Sequence, residues 1–585
     1  MPREAPRLPI PDMRRSAILA AMFLAACRSS VSTTNAPAIN AGGPYDLIIE
    51  NGRVVDGTGA AWFLGDVAIR GDRIARVTQH GALRNVAAKQ RIAAAGLVVA
   101  PGFIDIQGQS GGLFLTGDGR DVGKISQGVT TEILGEGATP APLNPARITE
   151  SVQAGGTPDT ALVRRFADPH GFDNWLRAMV AHGISPNVGS FVGAGTIRVY
   201  GMGLAMGQAK GAALDSMRAA VRLAMEDGAF GMASALIYPP NTFASTEELV
   251  EEAKAMAPYG GVYITHMRSE ADKLLEAIDD AARIGREGGV PVEIYHLKAA
   301  GVRNWGKARA AIAKIDSARA AGLDIQADMY PYTAGGTGLT SCLPPSVSAE
   351  GKLFDNLADP AMRARLRAEV EHPTSDWEDL CGQATPPNVL ITDLRRPENA
   401  GYVGKRLSEI AQLMSTDYLN AAMNLILGER RRVETIYFLM SEDNVRLQLQ
   451  QPWIKIGTDA AGPDPDSVRG LLHPRSYGTY PRILGRYVRD DHVLTLEDAV
   501  RKMSSAVATR LAIADRGVLK EGMFADIVIF DPATIIDRAT FDQPKQLSTG
   551  VRYVWVNGTL VWRDGAHTGA KPGHVLRGQG YGGPR

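Results

Sequence analysis

Short apolar runs alternate with helical segments through the middle of the chain, between residues 97 and 460. Eight of these runs have the length and composition of buried strands, and the segments between them have helical periodicity. One helix is marked at both ends, because Ser245 and Glu248 have the spacing of a capping box and Gly260-Gly261 follow its last turn. The eight predicted strands cover residues 97–106, 129–134, 187–192, 230–236, 262–265, 292–295, 323–329 and 453–457.

Eight strands that alternate with helices predict an α/β protein with a (β/α)8 TIM barrel. A doubly wound open sheet is the alternative that the same alternation allows. The barrel domain is expected over residues 97–512. The gap between the seventh and eighth strands is too long for one crossover helix, which predicts an inserted helical subdomain over residues 345–445. Its place after the seventh strand would put it over the barrel mouth as a lid.

Both ends of the chain carry short apolar segments separated by tight-turn sequences, the pattern of β-hairpins. The N-terminal part covers residues 45–96 and the C-terminal part covers residues 513–578. The economical interpretation is one small β-sandwich domain formed from both chain ends, with the barrel inserted between them. Two separate small domains are the alternative. The predicted hairpin turns are Asn51-Gly52, Gly71-Asp72 and Asn557-Gly558.

The first 27 residues have the pattern of a signal peptide. Arg14-Arg15 precede an apolar run over residues 17–26 that is too short to span a membrane. The run ends in Leu-Ala-Ala-Cys, which resembles a bacterial lipobox and implies cleavage before Cys27 and a lipid anchor on its sulfur. The chain is therefore expected to be an exported, periplasmic lipoprotein, with residues 28–44 as a flexible tether. A frayed N-terminal helix is the alternative.

Composition and charge narrow the function classes. A hydrophobic content of 45% and a charged content of 22% are ordinary for a soluble globular protein. The net charge is zero, so nothing in the totals indicates a nucleic-acid partner. Three cysteines do not make a disulfide framework. If Cys27 carries lipid, Cys342 and Cys381 could pair in an oxidising compartment, but the sequence does not require it.

Polar side chains follow several predicted strands at their C-terminal ends, where a barrel carries its working groups. Two of the ten histidines directly follow the fifth and sixth strands, His266 in YITHMRSE and His296 in IYHLKAAG. A lone histidine is more often structural, but two on consecutive strands with carboxylates at matching positions indicate a metal site. The other strand-end groups are Gln107 and Gln109 after the first strand, Glu136 after the second, and Asp459 after the eighth.

These motifs together resemble the N-acyl-D-amino-acid deacylase (D-aminoacylase) branch of the amidohydrolase superfamily. The resemblance runs from about residue 45 to residue 578 and includes GVTTEILGEG, LIYPPNTFAS, DMYPYTAG, MSEDNV, IGTDAAG and HPRSYGTYPRILGRYVR. In that family the first strand carries His-x-His, where this chain has Gln107 and Gln109. The second-strand ligand is typically cysteine, and Glu136 lies at or beside that position.

The resemblance implies a single metal position in this chain. Glu136, His266 and His296 would bind one Zn²⁺ per chain and leave a coordination position open. The amides of Gln107 and Gln109 are poor zinc ligands, so a metal at the first strand should be weak or absent. Both amides would point into the mouth, where they could contact Asp459, the attacking water or the substrate, or only fill space.

The predicted function is a zinc-dependent amidohydrolase that cleaves the N-acyl amide bond of N-acyl-D-amino acids or related small amides by a metal-activated water. Asp459 would be the general base. A hydrolase of another amide, carbamate or lactam is one alternative, and a catalytically inactive binding protein is another. The sequence leaves homo-oligomer formation open. By the resemblance, the substrate-binding groups are Lys298, Tyr238, Tyr330 and Arg475, with Gln107 and Gln109.

Overall fold

The fold is taken from a computed structural model that describes residues 44–155, 164–167, 169–373 and 377–584. The predicted signal peptide, the lipid-bearing Cys27 and the tether up to residue 43 lie outside the described residues. The described chain has three parts: a barrel, a sheet made from both chain ends, and a subdomain inserted into the barrel. None of its described helices is both long and apolar enough to cross a membrane.

Eight parallel strands form the barrel that the sequence predicts. Parallel pairing links each strand to its neighbour, and a parallel bridge between Gly108 and Ala460 joins the end of the first strand to the end of the eighth. This bridge closes the ring and rules out the open doubly wound sheet. The strands are Phe103–Asp105, Val129–Leu134, Asn187–Ser190 continued by Val192–Gly193, Gly231–Ala235, Val262–His266, Val292–Ile294, Ile325–Met329 and Ile454–Ile456.

The helices of the barrel part follow the strands or cover the barrel. Ser245 caps one of them as predicted, since its hydroxyl accepts a hydrogen bond from the Glu248 amide. The described helices are Gly111–Leu115, Val122–Ile125, Ile148–Gly155, Gly171–His182, Ala194–Met202, Ala212–Glu226, Thr246–Met256, Leu274–Gly288, Ala308–Ala320, Glu442–Leu449, Arg475–Arg482, the π-helix Ile483–Asp490, Leu496–Met503 and Ser505–Arg510.

Both chain ends contribute to one nine-stranded sheet, as the sequence predicts. The two ends meet where Val98–Pro101 pairs antiparallel with Ile527–Phe530. The sheet has its own hydrophobic core, which includes side chains from both ends such as Ile49 and Ile527. One domain is therefore present rather than two. Its strands are Tyr45–Val54, Phe63–Arg70, Arg73–Gln79, Ala88–Ala93, Val98–Pro101, Ile527–Phe530, Val551–Val556, Thr559–Arg563 and Ala566–His567.

Two local predictions in this region are wrong. Asn51-Gly52 is not a hairpin turn but a bulge within Tyr45–Val54, because both halves of that strand pair with Phe63–Arg70. Asn51 has a φ of 58° there, and its amide donates to Asp66 instead of closing a turn. The predicted first barrel strand, residues 97–106, is two strands of different sheets. The chain changes sheet at Gly102, where any Cβ would lie 2.2 Å from the Thr130 hydroxyl.

The inserted subdomain starts earlier than predicted and is not only helical. It contains an antiparallel three-stranded sheet. Residues 334–338 form the first of its strands along the chain, and residues 434–438 form the last and pair with both others. A disulfide joins Cys342 to Cys381, a pairing that the sequence left open. The strands are Ala334–Gly338, Val389–Asp393 and Glu434–Phe438, and the helices are Leu353–Ala358, Pro360–Glu371, Leu380–Ala384, Leu407–Leu413 and Tyr418–Glu429.

Candidate metal centre

The three predicted metal ligands meet at the barrel mouth. Glu136 Oε1 lies 3.2 Å from His296 Nε2 and 3.4 Å from His266 Nδ1. The two imidazole nitrogens are 3.0 Å apart. These three side chains are the one group of at least three His, Cys, Asp or Glu residues, among those that the structure describes, with ligand atoms close enough to share a metal ion. The geometry therefore brings Glu136 within reach of a metal ion that both histidines could bind.

The spacing of these atoms fits a zinc ion. Zinc bonds of about 2.0–2.1 Å put neighbouring corners of a tetrahedron about 3.3 Å apart, which is close to the three observed separations. The electrostatics also favour a cation. Burial alone and the ammonium of Lys298 would lower the pKa of His296, but the carboxylates of Glu270 and Glu136 outweigh both and raise it to about 10. Burial would raise the pKa of Glu136, yet its hydrogen bonds with His266 and His296 bring it well below the usual range.

Glu270 is a site residue that the sequence analysis missed. Its Oε1 lies 2.9 Å from His296 Nδ1, and its Oε2 lies 3.6 Å from His266 Nε2, so one carboxylate stands behind both imidazoles. A carboxylate on the outer nitrogen of a ligating histidine is the usual way in which proteins fix ring orientation at metal sites. The signal in the sequence is its place four residues after His266, in YITHMRSE.

Lys298, which the resemblance predicts to bind the substrate, lies beside His296, and its ammonium already has a partner in Glu270. Lys298 Nζ donates to Glu270 Oε1 at 2.6 Å and lies 2.7 Å from His296 Nδ1. Burial would raise the pKa of Glu270, but the positive charges of His266, Lys298 and His296 hold it well below the usual range. The positive charge of Lys298 is thus balanced by Glu270, and the ammonium lies beside the outer nitrogen of His296.

Gln107 and Gln109 bind Glu136. Each side chain donates its amide nitrogen to Glu136 Oε2 at 2.8 Å. The predicted partners of these amides were Asp459, the attacking water or the substrate. The partner in the structure is Glu136. The two oxygens of the Glu136 carboxylate are therefore used differently: Oε1 faces the histidines, and Oε2 faces the glutamines.

Asp459 follows the eighth strand, next to Gln107, and forms a buried ion pair. Its Oδ2 is 2.7 Å from Arg475 Nη1. Burial raises the pKa of Asp459, and Arg475 opposes this shift. Asp459 and His296 also have left-handed backbone conformations, with φ of 50° and 34°. Such angles are costly for residues other than glycine and concentrate at functional sites. Here the His296 amide donates to the Asp328 side chain, and the Asp459 amide donates to the Gln107 carbonyl.

One cavity of about 660 Å³ connects these groups. Tyr238 packs edge-on against the His266 ring at 5.3 Å, and the Arg475 guanidinium lies 4.6 Å from the Tyr330 ring centre. The inserted subdomain forms one wall of this cavity. The predicted site residues that line this cavity are Gln109, Glu136, Tyr238, His266, His296, Lys298, Tyr330, Asp459 and Arg475; those from the subdomain include Thr337, Leu380, Arg432, Tyr437 and Leu439.

Comparisons with known proteins show the family of this chain. A family model described as Amidohydrolase family matches residues 405–562, which include Asp459 and Arg475. The chain is 35% identical over 539 residues to the D-aminoacylase of Alcaligenes xylosoxydans xylosoxydans, and the match covers 91% of this chain and 98% of that protein. The chain therefore belongs to the D-aminoacylase family of amidohydrolases.

Solved structures of relatives share the whole fold. One is a D-aminoacylase described for its binuclear metal centre, with one-metal activation and second-metal attenuation. Its structure matches this chain with a TM-score of 0.74 and 35% identity, and the match covers 91% of this chain and all of that one. Another is the N-acyl-D-glutamate deacylase of Bordetella bronchiseptica, solved with zinc and a phosphonate mimic of the tetrahedral intermediate. Its structure matches with a TM-score of 0.76 and 32% identity, and the match covers 92% of this chain and all of that one.

Proposed function

We propose that this chain hydrolyses the N-acyl amide bond of N-acyl-D-amino acids, or of related small amides, with one zinc ion per chain. The observation that carries the proposal is the convergence of the Glu136, His266 and His296 ligand set with Asp459 on one cavity. We infer the D configuration and the acyl amide of the substrate from the relatives, which include deacylases for N-acyl-D-glutamate and N-acyl-D-aspartate.

The residues on the two sides of the cavity have complementary roles. Glu136, His266 and His296 would hold the zinc, which when bound polarises a carbonyl group and makes water more acidic. Asp459 accepts a proton from the attacking water and returns it to the leaving nitrogen. Its buried position makes the carboxylate a stronger base, while the ion pair with Arg475 keeps it ionised and oriented.

The substrate carboxylate is expected beside Arg475 and Tyr330. Arg475 Nε has no hydrogen-bond partner among the described residues, although it is buried. The positive charges of Arg475 and Lys298 both lie near the Tyr330 ring, at 4.6 and 5.9 Å from its centre. Tyr238 lines the same cavity and packs against His266, so its hydroxyl is a candidate donor to the substrate.

The balance of charges and donors supports the proposed count of one zinc per chain. Lys298 pairs with Glu270, and Arg475 pairs with Asp459, so Glu136 is the carboxylate of the site without a lysine or arginine partner. One divalent ion with two neutral imidazoles satisfies it. A second ion at the Gln-x-Gln strand would have to rely on amides, which suit a borderline-soft metal less well than imidazole does.

Stoichiometry and substrate can be tested together. Metal analysis of the purified protein should find close to one zinc per chain, and chelation should remove activity against N-acetyl-D-amino acids while the L enantiomers stay poor substrates. Two tightly bound metals, or activity with none, would overturn the zinc count. If a metal-loaded preparation hydrolyses no amide of a broad panel, the binding-protein alternative replaces hydrolysis.

Replacing the glutamines with histidines tests the reason for the single metal. The Gln107→His, Gln109→His double variant restores imidazoles to the first strand, where Glu136 and Asp459 could be shared. Gain of a second tightly bound metal is the expected result. Unchanged stoichiometry would mean that groups other than the two glutamines exclude that ion.

The exported, lipid-anchored location is also a proposal. It rests on Arg14-Arg15, the apolar run and Cys27. The disulfide between Cys342 and Cys381 supports it, because such bonds persist mainly in oxidising compartments. Cys27→Ala should move the protein from the membrane fraction to the soluble fraction without changing the activity of the catalytic domain. Membrane association that does not change in this variant would refute the anchor.

A further inference from the structure

We infer that Gln107 and Gln109 are positioning residues for the zinc ligand Glu136, in the place of a second cation. Their two amide N–H groups hold Glu136 Oε2 so that Oε1 stays directed at His266 and His296. The inference rests on the proposed single-zinc centre. It differs from the two other roles open to these glutamines, which are contact with the substrate and the passive filling of space.

The backbone around the glutamines is fixed from both sides. Gln107 O accepts from the Asp459 amide at 2.8 Å, and Gln109 N donates to Ala460 O at 3.1 Å, which ties the segment to the eighth strand. Gly108 N donates to Ile133 O of the second strand at 2.8 Å. Because alternate residues of an extended segment point to the same side, both amides emerge toward Glu136.

Gly108 has a steric reason to be glycine. A Cβ at this position would lie 1.9 Å from the side chain of Glu132. The close approach lets the segment run against the second strand, and Ser110 N then donates to Glu132 Oε1 at 2.9 Å. The two glutamine side chains are thus set in register with Glu136 by a rigid backbone, which passive space-filling would not require.

The hydrogen bonding at Gln107 specifies one partner. Its side chain is buried, its amide nitrogen donates to Glu136, and its carbonyl oxygen has no hydrogen-bond partner among the described residues. A carboxylate is an acceptor only, so an amide that binds it must present the N–H side. Hydrogen bonds from neutral donors to an ionised carboxylate are also stronger than bonds between neutral groups.

The amides suit this role because they bring no net charge. A second divalent ion at Oε2 would share the carboxylate and withdraw negative charge from the zinc side. Two N–H dipoles orient the carboxylate and leave its full charge available to a single ion. Outer partners of this kind typically contribute about 10–100-fold to metal affinity.

The experiment compares zinc binding by the full chain and its glutamine-to-methionine variants. Methionine keeps the approximate size of glutamine and removes its donors. Metal-free protein is titrated with zinc against a competing chelator, which reports both affinity and stoichiometry. We expect Gln107→Met and Gln109→Met each to weaken zinc binding by about 10-fold, and the double variant by up to about 100-fold. At saturating zinc, the KM of the double variant should stay near that of the parent.

Controls separate folding and substrate effects from metal positioning. Gln412→Met changes an exposed glutamine of the inserted subdomain and should leave zinc affinity unchanged. Gln109 is exposed to the cavity, so Gln109→Met should retain the fold even if the buried Gln107→Met does not, as thermal unfolding of the metal-free proteins will show. Parental zinc affinity in Gln109→Met and in a folded double variant would overturn the inference. So would a raised KM with unchanged zinc affinity, which would assign the glutamines to the substrate. If the parent itself binds two zinc ions or none, the proposed function fails instead.

Discussion

At the fifth and sixth strands, the rings of His266 and His296 meet edge-on with their centres 4.6 Å apart, and Glu270 lies beside the outer nitrogen of each. At the first and eighth strands, the corresponding positions hold neutral amides and the ion pair of Asp459 with Arg475. The first half has imidazole donors beside the carboxylate of Glu136, which favours a metal ion. The second half has a carboxylate whose charge is already balanced, which favours proton transfer. The two halves thus divide the reaction between them, with Glu136 at their border.

Removal of one imidazole should have the largest effect on this division. His266→Ala or His296→Ala leaves two ligands, so the chain should lose the metal and with it several kcal/mol of transition-state stabilisation, about 10³-fold or more in kcat. Elemental analysis and kcat measurements test this. His492→Ala, at an exposed histidine, is the matched control. Full activity and full zinc content in either variant would place the metal elsewhere.

Asp459→Asn should impair proton transfer and leave metal binding largely intact. The variant retains shape but cannot accept a proton, so kcat should fall by about 10²–10⁴-fold. Most of the zinc should remain, because Asp459 is not part of the ligand set. Parallel measurement of kcat and bound zinc distinguishes a base from a ligand. Turnover at the parental rate would exclude Asp459 as the base.

Glu270→Gln tests the support behind the histidines. The amide cannot match the carboxylate as a partner for two imidazoles and an ammonium, so zinc affinity should fall by about 10–100-fold. Chelator competition measures this directly. Activity should return in part at saturating zinc, since the ligands themselves are intact. Glu276→Gln, on the exposed face of Leu274–Gly288, is the control. Unchanged affinity would reduce Glu270 to a partner of Lys298 alone.

The smallest expected effect is on the pH profile. Burial raises the pKa of Asp459 above its ordinary 3.8, so the carboxylate is lost as pH falls through this raised value, and the acid limb of kcat should lie above 3.8. Arg475 lowers that pKa. Arg475→Met should therefore move the acid limb to higher pH. A limb that moves to lower pH would contradict the assignment of this limb to Asp459.

The barrel strands were predictable because their signal is local. Buried parallel strands are short apolar runs, and seven of the eight predicted runs, such as residues 129–134 and 262–265, match observed strands to within two residues at each end. The predictions that failed concern alternatives that only long-range pairing separates. Asn51-Gly52 has the composition of a turn, but its strand continues because Phe63–Arg70 pairs with both halves.

The candidate ligands were also predictable, since a barrel brings the C-terminal ends of its strands to one mouth. What surrounds those ligands was not. The sequence offered no rule by which Glu270 would serve both histidines, or by which two amides would bind Glu136 rather than Asp459.

The sequence by itself determined the number and order of the barrel strands, the strand-end residues with metal-binding chemistry, and the loss of imidazole from the first strand. The tertiary structure alone decided how each charge is paired: Lys298 with Glu270, Arg475 with Asp459, and Glu136 with Gln107 and Gln109. The physical reason is range. Strand patterns arise from neighbouring residues, whereas ion pairs and hydrogen bonds depend on distances of a few ångströms between groups far apart in the chain, which only the closed barrel sets.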